Sequence, residues 1–289
     1  MGQLPPGFQA AARRRRSLVV LLSAISLIAL SYLALYTVAG QNIDNLTMEA
    51  VAASARWLHL RLGAVSAAVS IPALGAISIG VVAVAIARRR AALAWRALLV
   101  VGGANATAQL LKEILPRPEL GVGIQLENSY PSGHVTYAAA IAVALIMVAP
   151  RGFRSPAALV GWLWTTLMGL MVISQGWHRL ADVVGALLIV ALWGFASAPA
   201  ELRPRVQPGL TRAGTYLAAA TSAIGIILFV VSVIIITPEV FAPLSYGEIG
   251  EMVEVGTREG VLFSLATLLL LGGLGGLLLN GIDRLSEAR

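Results

Sequence analysis

Lys112, Arg117, Ser132, Gly133, His134, His178, Arg179 and Asp182 lie within some seventy residues and combine the residue types that bind an anion with those that move a proton. His178 and Asp182 stand at i and i+4, so on a helix they share one face and the carboxylate can hold an imidazole N–H, fixing tautomer and orientation. An imidazole held in this way is a candidate nucleophile toward phosphorus. His134 is a candidate acid for protonating a departing alkoxide oxygen, which leaves poorly without a proton. Lys112 and Arg117 supply fixed positive charge, and Ser132 and Gly133 open a predicted helix whose first N–H groups point at an anion. The set suits a phosphate group.

These residues sit in a chain built for a membrane. Of its 289 residues 58% are apolar and only 12% charged, far from the balance of a soluble domain. Mean hydropathy is +0.83. Cysteine is absent, which removes disulfides, thiolate metal sites and a cysteine nucleophile. The net charge of +7 arises from short arginine clusters between apolar runs, without interleaved aromatics, so it argues against nucleic acid and for membrane topology.

Eight apolar runs predict an all-α, polytopic helix bundle: Leu18 to Val38, Leu62 to Ile86, Ala91 to Leu111, Val135 to Ala149, Ala157 to Ile173, Leu180 to Ala196, Tyr216 to Ile236 and Val261 to Leu279. Most approach the ~20 residues of a spanning helix. The fourth and fifth, about 15 to 17 residues long, need a turn from their polar flanks or a thinner bilayer. The basic start followed by an apolar run also fits a cleaved secretory leader, but the first run exceeds the usual leader core and reads as a span. Eight alternating crossings put fifteen of the 21 basic residues on one side, which predicts that side, and both termini, to be cytoplasmic in the plasma membrane. Lys112, Arg117, His134, His178, Arg179 and Asp182 then gather at the other face. The run interiors carry no charge, unlike a conduction path with ionisable groups at mid-membrane.

The motifs resemble those of the type 2 phosphatidic acid phosphatase (PAP2) superfamily of integral membrane lipid phosphatases. Pro131-Ser132-Gly133-His134 matches its Pro-Ser-Gly-His tetrapeptide, "GWHRLADVVGA" holds the histidine and aspartate of its third signature as His178 and Asp182, and "LKEILPRPEL" resembles the first. The resemblance implies a six-helix core over residues 17–199, preceded by a basic tail at 1–16 and followed by a two-helix extension at 200–289. It implies a metal-independent phosphatase without cofactor, acting through a phosphohistidine. His178 would be the nucleophile, oriented by Asp182, with His134 as general acid and Lys112, Arg117, Ser132 and Gly133 on the phosphate. Two positions depart from the pattern. The family's Arg-Pro would fall at Glu119-Leu120, whereas Arg117-Pro118 comes two residues early, and the third-signature arginine is replaced by Val172. Arg179 is expected to supply the lost charge, with Gln175 a weaker neutral substitute.

Expected partners are membrane lipids and a lipid-linked phosphate substrate hydrolysed at the outer leaflet. A non-catalytic lipid-phosphate-binding protein and a transporter on the same scaffold are the alternatives. His178 and Asp182 with His134 or His59 also have metal-ligand character, but the two neighbouring basic residues oppose a bound cation. Trp57, Trp177, Tyr130 and His59 read as interfacial residues, with Trp177 and Tyr130 near enough to the motifs to touch lipid. Gly272-x-x-x-Gly276 predicts close packing of the last helix against a neighbour or against a second copy in a homo-oligomer. Glu248, Glu251 and Glu254, opposite Ile249, Met252 and Val253, predict a short surface helix between the last two spans, near enough to cover the site or simply solvated.

Overall fold

In a computed structural model, residues 6–55, 71–87, 89–123, 128–198 and 208–285 are described. Trp57 and His59 fall outside these segments. The described residues form helices joined by turns: α1 (Pro6–Tyr36), α2 (Val38–Ser54), α3 (Ile71–Ala87), α4 (Ala91–Ile114), α5 (Gly133–Val148), α6 (Arg154–Ser174), α7 (Leu180–Ser197), α8 (Pro208–Ile235), α9 (Tyr246–Met252) and α10 (Arg258–Leu285). Among the described residues six helices, α1, α4, α6, α7, α8 and α10, are long and apolar enough to cross a membrane. The chain is therefore an all-helical, multi-pass membrane bundle. Ile25 and Ile28 on α1 and Ile226 and Ile227 on α8 are exposed, as residues facing lipid tails are.

Each predicted run overlaps a helix where it is described, residues 62–70 of the second lying outside the described segments, and the two short ones have different solutions. The fifth run gains its extra turn from Arg154, Ser155 and Pro156, giving α6 21 residues. The fourth stays short: α5 has 16 residues. It does so because it is the centre of the bundle, packed by α3, α4, α6, α7 and α10. A helix surrounded by protein needs to match its neighbours and not the bilayer. Alanines at 97, 104, 138, 139, 142 and 186 are buried there, and small side chains are what let membrane helices approach closely.

Between the first two runs the sequence predicts no element, yet α2 occupies residues 38–54. Thr37 stops α1 and starts α2: its hydroxyl donates to the Leu33 carbonyl at 2.6 Å and accepts from the Gly40 N–H at 3.0 Å, an N-cap arrangement. Gly40 is required here, because a Cβ would collide with the Leu33 carbonyl. Asp44, Asn45 and Gln41 of α2 are buried along with Leu46, Met48 and Val51. Leu46 and Ala50 join Ile236, Val240, Ile249, Val253 and Phe263 in a second apolar cluster, separate from the main core. Asn42 locks the same contact, its amide donating to the carbonyls of Val240 and Ala242 at 2.8 and 2.7 Å.

The C-terminal elements thus grip α2. The short helix expected around Glu248 is α9, capped by Ser245, which accepts from the Glu248 N–H at 3.3 Å. Ile249 and Val253 are buried and the three glutamates exposed. The helix is not merely solvated, since its apolar face packs on α2. The glycine-rich stretch of α10 finds its neighbour within the chain: α8 and α6 pack on it, and a Cβ at Gly276 would lie 2.6 Å from the Ala218 Cβ. Gly225 of α8 is equally tight, where a Cβ would meet the Leu270 backbone nitrogen at 2.7 Å. Gly225→Ala is expected to destabilise the protein by about 1–3 kcal/mol through overpacking, read as a lower midpoint of unfolding in detergent.

Candidate active site

Segments distant in sequence meet at one end of the bundle: the C-terminal end of α4, the strand of chain entering α5, the turn from α6 into α7, and α2. The turn from α6 depends on Gly176, whose φ of +68° is left-handed, a helix-ending conformation that glycine adopts without steric cost. The chain then folds back so that the N–H groups of Trp177 and His178 both donate to the Val172 carbonyl, at 3.0 and 3.2 Å. Val172 itself is fully buried. The position that holds an arginine in the resembled pattern is here an apolar side chain whose carbonyl supports the histidine.

Asp182, in the first turn of α7, is the hub. Its side chain is completely buried, and its Oδ2 accepts from the Ser129 hydroxyl at 2.6 Å, from the Arg179 N–H at 3.0 Å and lies 3.2 Å from Nδ1 of His178. The expected His178–Asp182 contact is therefore formed. With Nδ1 turned to the carboxylate, Nε2 is the ring nitrogen left for chemistry. The Asp182 carbonyl also accepts from the Ser132 N–H at 3.0 Å, which ties the Pro-Ser-Gly-His segment to α7.

That tie sets His134 opposite His178, with ring centroids 6.4 Å apart. Trp177 lies against the other side of the His134 ring, centroids 5.7 Å apart, and stays 42% exposed, as an interfacial aromatic does. Ser132 caps α5 through its hydroxyl, which accepts from the Val135 N–H at 3.4 Å, and Gly133 is the first residue of that helix. Lys112, half-buried at the end of α4, is within electrostatic reach of both Asp182 and His134.

Tyr130 differs from expectation. It is fully buried, donor or acceptor to Ser31 at 2.9 Å, and packs so closely on α7 that a Cβ at Gly185 would lie 2.7 Å from its ring. It is a core residue and not an interfacial one. Burial pushes its hydroxyl up to about 12, so it stays protonated.

The two arginines are both inside. Arg117 approaches Asp44 of α2 at 3.8 Å, and both side chains are 6% exposed. Neither terminal nitrogen of Arg117 has a hydrogen-bond partner among the described residues. Arg179 is 1% exposed; its Nε donates to Oδ1 of Asn45 at 2.8 Å and one terminal nitrogen stands 3.5 Å from the Ser129 hydroxyl. Burial, with Arg117 alongside, holds the Arg179 guanidinium below its ordinary pKa, opposed by Asp182 and Asp44. The structure thus brings Arg179 into the charge cluster around Asp182. Gln175 is half-buried at the end of α6, and its amide nitrogen has no hydrogen-bond partner among the described residues.

Reading the sequence missed Ser129, Asp44 and Asn45. Two signals were there: Ser129 stands three residues before Ser132, and Gln41, Asp44 and Asn45 recur at i, i+3 and i+4, one stripe of a helix. Among the described residues no group of three or more histidine, aspartate or glutamate side chains is arranged to hold a metal ion. Asp182→Ala leaves three donors without their buried acceptor. It is expected to cost about 1–3 kcal/mol of stability in addition to any effect on chemistry, measurable as the shift in unfolding midpoint.

Comparison with known proteins adds one finding. No curated protein and no solved structure matches the chain. The family model described as PAP2 superfamily matches residues 93–203, a segment that contains Lys112, Arg117, Pro131 to His134, Arg179, and the hydrogen-bonded pair His178 and Asp182. Over residues 93–203 this membrane chain is similar to the PAP2 superfamily.

Proposed function

We propose that the protein is a membrane phosphatase that hydrolyses a phosphate monoester or pyrophosphate on a lipid headgroup, at the outer leaflet of the plasma membrane. Members of the superfamily are generally phosphatases acting on phosphate esters, commonly of lipids. The observation that carries the reading is the pair of imidazoles, His134 and His178, facing each other at 6.4 Å with His178 held by a buried carboxylate. Apolar helices around an anion-binding end favour a lipid-linked substrate, whose tails stay in the bilayer while its phosphate reaches the interface. The alternation of apolar runs, with fifteen of the 21 basic residues on one side, favours an extracytoplasmic site and cytoplasmic termini.

In this reaction Nε2 of His178 attacks phosphorus, and the bond from phosphorus to the lipid oxygen breaks as His134 gives that oxygen a proton. Water then attacks the phosphohistidine, His134 takes its proton, and the phosphorus–nitrogen bond breaks to release phosphate. Lys112, Arg117, Arg179, the Ser132 hydroxyl and the N–H of Gly133 stabilise the charge on the transferring group. Asp182 keeps the tautomer of His178 and balances the positive charge that the ring acquires. No step calls for a metal ion.

Val172, in place of an arginine, favours a second reading, a protein that binds lipid phosphates without hydrolysing them. Phosphate release from a lipid panel by the purified protein separates the two. His178→Ala is expected to lower turnover by about 10³-fold or more, with a chelator leaving the wild type unchanged. Wild-type release no faster than that of His178→Ala on every lipid would overturn the enzyme reading, and loss of activity on chelation would replace the mechanism with a metal-dependent one. In the same assay Arg179→Ala is expected to lose about 10²-fold, the typical cost of removing one preorganised donor. Near-normal turnover would show that Arg179 does not stand in for the arginine absent at position 172.

A further inference from the structure

α2 is pinned to both arms of the site by one face. Gln41 donates to the carbonyl of Pro118, next to Arg117, at 2.9 Å and to the Leu35 carbonyl at 2.8 Å. Asn45 accepts from Arg179, and Oδ1 of Asp44 accepts from the Ala181 N–H at 3.0 Å in the first turn of α7. These three positions lie outside residues 93–203, in a helix the family match does not reach.

Asp44 is the member of this face with chemistry of its own. Its Oδ1 is committed to α7, but Oδ2 has no hydrogen-bond partner among the described residues and faces Arg117 at 3.8 Å, beyond hydrogen-bond length. Arg117 has both terminal nitrogens likewise unpartnered among the described residues. A buried pair with good geometry would hold the arginine tightly, whereas this one neutralises its charge without engaging its donors. Those donors are the ones a phosphate group would take.

We propose that Asp44 is a positioning residue that acts as an internal competing anion: it keeps the Arg117 guanidinium in place while the site is empty and opposes a phosphate-bearing ligand that takes the same donors. Its effect is to weaken binding of the product, inorganic phosphate, and so to favour its release. The inference rests on the phosphate-binding reading of the site given above. The groups around Asp44 are Arg117, Asp182, Arg179 and the Ala181 N–H. Burial raises its pKa to about 6, Asp182 adds to this, and Arg117, the Ala181 N–H and Arg179 oppose it. The sign follows. Above that value Asp44 is ionised and repels a second anion; below it the carboxyl is neutral, and Arg117 is left to the ligand. Anion binding should therefore be accompanied by proton uptake at Asp44.

The test uses sulfate, whose charge does not change over the range, with full-length protein in detergent and binding followed by calorimetry. Asp44→Asn keeps an oxygen for the Ala181 N–H and removes the charge. At about pH 7.5 it is expected to bind sulfate about tenfold more tightly than wild type, the size of effect one nearby charge produces in a partly buried site. At about pH 5, where wild-type Asp44 is neutral, the two affinities should converge; the histidines titrate in both proteins and drop out of the comparison. The same substitution in an Arg117→Gln background should lose most of the difference, since the competition is for Arg117. Equal affinities at the higher pH overturn the proposal. So does weaker binding by Asp44→Asn at both pH values, which marks a merely structural residue, and so does absence of sulfate binding in all variants. Binding as expected in a protein that hydrolyses no lipid would overturn the phosphatase reading and leave in place only the competition of Asp44 with an anion for Arg117.

Discussion

A carboxylate buried without a single exposed atom calls for donors, and the architecture around Asp182 brings three of them to its Oδ2. Its donors come from three directions: a serine ahead of α5, the backbone at the start of α7 and the ring of His178. Because Asp182 also accepts from Ser132 through its own carbonyl, the two histidine-bearing segments cannot move independently. The separation of the two imidazoles is thereby set by a hydrogen-bond network and not by the flexibility of loops. A network of this kind is worth most where water is scarce, which is the condition at the end of a membrane bundle.

The same demand explains the odd composition of α2. Helices on the rim of a bundle commonly turn their polar side outward, but α2 turns Gln41, Asp44 and Asn45 inward because charged and polar groups of the site lie beneath it. Leu46 and Ala50 meet apolar residues from the end of α8, the loop beyond it, α9 and α10. The C-terminal hairpin therefore acts on the site at one remove. It clamps the helix that holds Arg179 and faces Arg117. The close glycine contacts between α8 and α10 make that clamp rigid.

Val172 is buried and apolar, and the basic groups within electrostatic reach of Asp182 are Arg179, one residue past the histidine, and Lys112. The geometry of Arg179 depends on Asn45 of α2, a partner from a different segment.

The spans were legible because the bilayer demands long apolar runs, and each predicted run overlaps a helix where it is described. The His178–Asp182 pair was legible too, although not for the helical reason: His178 lies ahead of α7, with Arg179 extended, and meets Asp182 across the start of that helix. Local sequence also gave α9, through its glutamates opposite Ile249, Met252 and Val253. What it could not give was α2, since a helix whose polar face points into the protein reads as an irregular polar loop when taken alone. Nor could it rank Tyr130, whose burial depends on Ser31 and Gly185, far away in the chain. The sequence by itself determined the apolar helices and the histidines, aspartate and basic residues capable of chemistry in its motifs, because these depend on neighbours within a few positions. Only the tertiary structure decided which charges face one another, that Asp44 meets Arg117 and Asn45 meets Arg179, because electrostatic pairing acts through space between segments that no local period connects.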